Sequence, residues 1–426
     1  MRALAWLLAL FGIAVALALL TGSNQGTVTL YWSPYRIDVS LNLVLLVLIG
    51  GFVLLHLALR GLSALFAMPK QAQRWRLQQR ERAMHAAVLD ALTHLQAGRF
   101  LRARKSAEAA LQQEEALAAS KHGVPYASKL RAISHLVAAE SAQALRDKPT
   151  RETHLQAALQ DTAAREAQET REGVQLRAAR WALEDRDPEA ALQWLDDMPQ
   201  GAARRTLALR ARLKATRQAG QTLPALETAR LLAKHRAFSP DAAVLILKGL
   251  ALELIQAAHD PSQLQRAWSQ LEPAERHIPD VAISAAQRLL QLQGDVALAR
   301  QWLLPDWEAL LRGPRAGAEG LVLTKLIRAL EESFAAEDTP SDLQWLERIE
   351  AAQRAQPRSA ELQYLAGMAC MRHQLWGKAQ QLLSQALVQL HDPSLKRSAW
   401  RALSALAEQR GDEPAAQQAL RQAALL

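Results

Sequence analysis

Two stretches of the chain are almost wholly apolar. Ala3 to Leu20 carries no charged residue, and Leu41 to Leu59 is interrupted only by Asn42 near its start and His56 near its end. An α-helix needs about 17–25 such residues to cross a hydrocarbon core, so the pattern predicts two membrane spans in a hairpin. The connector between them, about residues 21–40, alternates instead. It reads Thr27-Val28-Thr29-Leu30-Tyr31-Trp32, then Tyr35-Arg36-Ile37-Asp38-Val39 after Ser33-Pro34. Alternation on both sides of a turn predicts a small β-hairpin. The rings of Tyr31, Trp32 and Tyr35 suit the membrane–water interface.

Beyond Leu59 the period becomes helical, with Leu77, Met84, Val88, Leu92 and Leu95 on one face. Met68-Pro69 is expected to end or kink the helix leaving the membrane, since proline removes a donor and restricts its predecessor. That places the membrane hairpin in residues 1–68 and a helical repeat domain in 69–426.

The repeats show in one offset. Gly98 stands five residues before Ala103, Gly220 before Ala225, Gly294 before Ala299 and Gly411 before Ala416. Arg186 and Gln374 precede Ala191 and Ala379 by the same interval. A turn residue followed by a small residue at a helix crossing is the mark of a tetratricopeptide (TPR) hairpin. One unit starts at Trp400 and runs through Leu403, Ser404, Ala407, Gly411, Ala416 and Leu420. Another holds Gly367, Cys370, Trp376, Ala379 and Leu383. The spacing predicts eight or nine hairpins that must stack to bury their faces. The fold class is therefore all-α: a two-helix transmembrane hairpin followed by a TPR-like α-solenoid.

Composition agrees. Half the residues are hydrophobic and 5% aromatic, and the single cysteine, Cys370, excludes an internal disulfide and a Cys-ligated zinc site. The net charge of +9 is unevenly placed. Residues 60–82 hold Arg60, Lys70, Arg74, Arg76, Arg80 and Arg82 against Glu81, while everything after Arg82 sums to +3. Basic residues stay on the cytoplasmic side of a span, so the connector is expected in the periplasm and the repeats in the cytoplasm. The cluster can rest on anionic headgroups, worth about 1 kcal/mol per residue near the surface. No nucleic-acid partner is expected.

The two close spans, the segment from Gly26 to Asn42 and the Pro69-plus-Arg entry into helical repeats resemble the HemY family of proteobacteria over roughly residues 1–110. The resemblance implies an inner-membrane protein associated with a late step of protohaem synthesis, with no catalytic residues to carry over. An unrelated flavin-dependent protoporphyrinogen oxidase shares that family name. This chain lacks the Gly-rich strand-to-helix turn its flavin would require.

Catalytic motifs are absent: no HExxH, Walker loop, GxGxxG or GxSxG. The eleven histidines are scattered singly, and Cys370 falls at a core position. Trp181, Trp194, Trp302, Trp307 and Trp345 could line a porphyrin groove, but their helical spacing fits core packing better. No cofactor, metal or catalytic site is assigned. The residues point to a membrane-anchored, non-catalytic scaffold that binds proteins; the resemblance adds late haem-biosynthesis enzymes as partners. Two alternatives stay open: a haem or porphyrin carrier, and an assembly factor for envelope or cytochrome maturation.

Overall fold

The computed structural model describes residue 13 and residues 26–120, 124–162, 168–311, 319–334 and 341–426. The expected first span, Ala3 to Leu20, lies outside the described residues except for Ile13. The chain divides into two compact units, Met1–Arg171 and Glu172–Leu426.

The N-terminal unit opens with the β-hairpin. Strands β1 (Thr27–Trp32) and β2 (Tyr35–Ser40) pair antiparallel, from Thr27 opposite Ser40 to Trp32 opposite Tyr35. The Leu41 amide donates to Gly26 O at 2.9 Å, closing the hairpin onto the helix that follows. Helix α1 (Leu41–Gln96) is one continuous element of 56 residues, about 84 Å long at 1.5 Å per residue. It runs through Met68-Pro69, where the sequence led us to expect an end or kink. Proline there removes one bond of the ladder. A carbonyl freed just past the span can be solvated, so the helix continues. The domain boundary expected at 68/69 thus falls inside a helix.

Helices α2 (Phe100–Ala119) and α3 (Ala127–Ala144) pack on the far end of α1, and α4 (Lys148–Asp161) packs on α3. Their core joins Ala91 to Ala103, Ala107, Val137 and Ala138, and Met84, Val88 and Ala110 are buried as well. So many alanines bring the helix axes close together.

The C-terminal unit continues the pattern with α5 (Gln168–Glu184, whose first turn precedes the boundary), α6 (Pro188–Asp196), the short α7 (Gln200–Ala203), α8 (Thr206–Gln218) and α9 (Thr222–Lys234). Then come α10 (Pro240–Gln256), α11 (Pro261–Gln270), the short α12 (Pro273–Arg276), α13 (Pro279–Gln291) and α14 (Val296–Leu311). The unit ends with α15 (Glu319–Phe334), α16 (Ser341–Ala355), α17 (Ala360–Arg372), α18 (Trp376–Gln389), α19 (Pro393–Gln409) and α20 (Glu413–Leu425). Many start on a capping residue followed by proline: Asp187-Pro188, Ser239-Pro240, Asp260-Pro261 and Asp392-Pro393, each cap accepting a backbone N–H. The missing proline donor costs nothing at that position, and φ is already helical.

One turn recurs. In the hairpins α1/α2, α3/α4, α5/α6, α8/α9, α13/α14, α17/α18 and α19/α20, a residue with φ of 57–77° ends the first helix: Gly98, Arg146, Arg186, Gly220, Gln293, Gln374 and Gly411. The next amide donates back five residues at 2.8–3.0 Å, as in Arg99 to His94 O and Asp412 to Ala407 O. This is the Schellman closure, which satisfies carbonyls the helix end leaves open.

Candidate functional site

The anchor comes first in the chain. Among the described residues, Leu41–Leu62 is the helix long and apolar enough to cross a membrane, with mean hydropathy 2.5 and none of its window buried in protein. Exposed Tyr31, Trp32 and Tyr35 sit on the hairpin at one end of it, and exposed Arg60 lies at the other. Lys70 lies on α1, its side chain outside the described residues. Arg74, Arg76, Arg80 and Arg82 are exposed on the same helix. They stand about 18–30 Å beyond Leu62 along the axis. The headgroup zone is only about 5–7 Å deep per leaflet. Against that depth, Arg60 is the nearest of these cations to the apolar stretch.

The sequence-predicted packing residues are placed one by one. Ala103, Ala191, Ala225, Ala299 and Ala379 are fully buried, and Ala416 nearly so. In each of the six hairpins that carry these alanines, the small residue stands four after the residue that opens the second helix. Its amide makes the first bond of that helix, as from Ala191 to Asp187 O at 3.2 Å. Gly98, Gly220 and Gly411 hold the left-handed turn. Gly294 does not: the left-handed residue is Gln293, and Gly294 is one extra residue before Asp295. A Cβ on Gly294 would lie 2.4 Å from Leu289 Cδ1. Gly367 marks a tight crossing of α17 on α18, where a Cβ would meet Leu383 Cγ at 2.7 Å. Trp400 is half-buried, and the core face of α19 is carried by Leu395, Ala399, Ala402 and Leu406. Leu420 is exposed, and Ala419 and Ala423 are buried in its place.

Of the tryptophans weighed for a porphyrin groove, Trp181, Trp302, Trp307 and Trp345 are buried and Trp194 is half-buried. Trp302 stacks on Trp268 at 4.5 Å, and Trp307 meets Trp345 edge-on at 5.9 Å. They are packing groups. The Cys370 thiol is buried and donates to Glu350 Oε1 at 3.8 Å; burial and that carboxylate push its pKa up to about 11. Such a thiol stays protonated at neutral pH.

Sequence reasoning missed a histidine pair. His135 on α3 and His154 on α4 meet with Nδ1 atoms 2.9 Å apart, and Asp161 stands 3.8 Å from His135 Nε2. Burial depresses both pKa values; at His135 the neighbouring His154 adds to it, and at His154 Arg104 opposes Glu108. The pair is therefore neutral at pH 7 and shares one N–H···N bond. Two imidazoles on a tetrahedral zinc at about 2.0–2.1 Å each would hold their nitrogens about 3.3 Å apart; the 2.9 Å seen here is a hydrogen-bond distance. The signal was hairpin register: His135 lies eleven residues before the Arg146 turn and His154 eight after it. No group of three His, Cys, Asp or Glu side chains among the described residues could hold a metal.

Two surface grooves flank α8. The larger, about 730 Å³, lies among α6, α7, α8 and α9 and is crossed by the Arg212–Asp196 ion pair at 2.6 Å. The smaller, about 490 Å³, is lined by Arg210, Leu213, Lys214, Arg217, Gln218 and Phe238.

Comparison with known proteins matches residues 26–146 to the family described as HemY protein N-terminus. That span covers the β-hairpin, α1, α2 and α3 up to the Arg146 turn. Among solved structures, the P58(IPK) TPR domain matches with 14% identity over 77% of this chain and 99% of that chain, at a TM-score of 0.21. A circular tandem repeat protein matches with 15% identity over 82% and 96%, at a TM-score of 0.24. No curated protein matches the chain. Over this N-terminal region, which holds the strand pair, the apolar helix and the first repeat turn, the chain is similar to the HemY family.

Proposed function

We propose that this protein is an inner-membrane scaffold whose TPR-like repeats bind protein partners in the cytoplasm and support a late step of protohaem biosynthesis without catalysing it. The observation that carries this reading is the continuity of α1. The helix that is bare and apolar from Leu41 to Leu62 is the same one that buries Met84, Val88 and Ala91 in the first repeat. A rigid helix shared by lipid and repeat core holds the repeats at the bilayer. Tethering of this kind raises the local concentration of whatever the repeats bind. The term haem comes from the match of residues 26–146 to the HemY N-terminal family. The orientation comes from the basic residues after the span, and multi-pass insertion from the apolar run Ala3 to Leu20.

The test is genetic and biochemical. Loss of the gene should lower haem flux while the isolated pathway enzymes keep their rates. Exchanging residues 1–59 for an unrelated two-span anchor should preserve the effect, and deleting the repeats should abolish it. A periplasm-dependent reporter should work when fused near Ser33 and fail at Leu426. Conversion of a porphyrin intermediate by the protein alone would overturn the scaffold reading. Stoichiometric haem binding lost on one histidine substitution would replace it with a carrier.

A further inference from the structure

The +3 carried by everything after Arg82 hides a local excess. Residues 204–236 hold Arg204, Arg205, Arg210, Arg212, Lys214, Arg217, Arg230, Lys234 and Arg236 against one acid, Glu227. Ion pairing sorts these cations. Arg205 is taken by Glu172 at 2.9 Å, Arg212 by Asp196 at 2.6 Å and Arg230 by Glu275 at 2.6 Å. The cations of the 490 Å³ groove are held much less. Lys214 has no ion-pair partner among the described residues. Arg217 faces Glu253 at 3.5 Å with both side chains more than half exposed, a pairing worth little in water. Arg210 spends one N–H on Ala237 O and is otherwise exposed. The floor between them is apolar, made by half-buried Leu213 and Phe238.

From this arrangement we infer that the α8 groove is a docking site for an extended acidic peptide segment carrying an apolar side chain. Arg210, Lys214 and Arg217 are spaced i, i+4, i+7 on one face of α8, about 10 Å from first to last along the axis. An extended chain covers that distance in about three residues at 3.3–3.4 Å each. Acidic side chains about three positions apart therefore meet the first and last cations while a residue between them faces Lys214. One apolar side chain of the segment seats on Leu213 and Phe238. The cations set the class of partner and its approach, and the apolar floor sets its register. A single-stranded nucleic acid fits less well. Such sites track a longer backbone and stack successive bases on aromatic faces, whereas this groove offers one half-buried phenyl ring.

This inference deepens the scaffold reading and rests on it. The test uses the full chain in detergent micelles and a fluorescein-labelled peptide built from Asp, Glu and Leu, followed by anisotropy. Saturable, salt-sensitive binding is expected. Lys214→Glu, at an exposed position that leaves the fold intact, should weaken it by about tenfold or more. Arg401→Glu, the same change of sign at an exposed site on α19, should leave it unaltered. Replacing the leucines of the peptide by serine should also weaken binding to the wild-type chain. Equal binding by wild type and Lys214→Glu overturns the assignment, as does tighter binding of an oligothymidine than of the peptide. Crosslinking in native membranes separates the two failures. Partners still captured by a chain whose groove binds no peptide sink the groove alone, whereas a wild-type chain that captures no protein sinks the scaffold reading.

Discussion

Helix α1 between Leu41 and Leu62 and helix α17 between Ala360 and Arg372 are both apolar, yet their surroundings are opposite. Leu365, Ala366 and Ala369 are buried to within 1%, and Gly367 lets a neighbouring helix touch the backbone. Leu46, Leu48 and Leu54 are more than 60% exposed, and a Cβ added at Gly50 or Gly51 would meet nothing within 4 Å. Hydrophobicity alone does not say what covers a helix. Burial on nearly every side marks packing within protein; exposure of most of an apolar helix, with no charge from Leu41 to Leu59, is what a membrane span presents.

The sharpest way to break this comparison is to truncate one leucine in each helix. Leu365→Ala removes a fully buried side chain from the largest core and should cost about 2–5 kcal/mol. Leu46→Ala should stay within about 0.5 kcal/mol in detergent, since the side chain is mostly exposed. Chemical unfolding of the two variants measures both. Similar losses would mean that protein, and not lipid, covers the span.

Charge sharpens the contrast next. The protein interior tolerates what the span does not. Asp306 on α14 is half-buried, its Oδ2 has no hydrogen-bond partner, and desolvation pushes its pKa up to about 6 despite His277. A folded pKa above the unfolded one means that stability is fully present below about pH 4 and is lost as pH rises through 6. Solvent screening of this half-exposed group reduces the effect, so Asp306→Asn should gain about 1–2 kcal/mol at pH 7 and almost nothing at pH 4. Unfolding curves at the two pH values check the sign.

Glycine gives a smaller and cleaner pair. Gly367→Ala must push Leu383 aside and should cost about 1–3 kcal/mol, whereas Gly51→Ala should cost nothing in thermal unfolding. Gly294→Ala belongs with Gly367, because its Cβ would strike Leu289.

These positions show which parts of the fold were legible in the sequence. The β-hairpin, the second span and the turn-to-alanine offset are local patterns, and local geometry enforces them. What escaped was set at longer range or by one-residue changes. The α3/α4 hairpin has the same Schellman turn at Arg146, but the position four after Asp147 is Arg151 in place of a small residue. Arg151 is mostly buried and donates to Gln143 Oε1 at 2.5 Å, so the offset could not reveal this hairpin. The His135–His154 pair depends on the register of that same hairpin. The excess charge around α8 was cancelled in a total over 344 residues. At α13/α14 the glycine was visible, but it is an insertion beside the turn.

That last case carries the smallest and most specific prediction. If Gln293 is the left-handed residue, it bears a steric cost of about 1–2 kcal/mol that glycine would remove. Glycine adds back about 0.5–1 kcal/mol through the freedom of the unfolded chain. Gln293→Gly should therefore stabilise the protein by about 0.5 kcal/mol, as should Gln374→Gly, which has φ 61° in the same motif. Gly98→Ala, with φ 69° and open space around its Cβ, should lose about the same amount by the reverse argument. If the true turn residue were Gly294, Gln293→Gly would be destabilising, since it would loosen a helix end and relieve no strain. The sign at this one residue, read from paired denaturation curves, separates a turn shifted by one from a turn in the register of the other six.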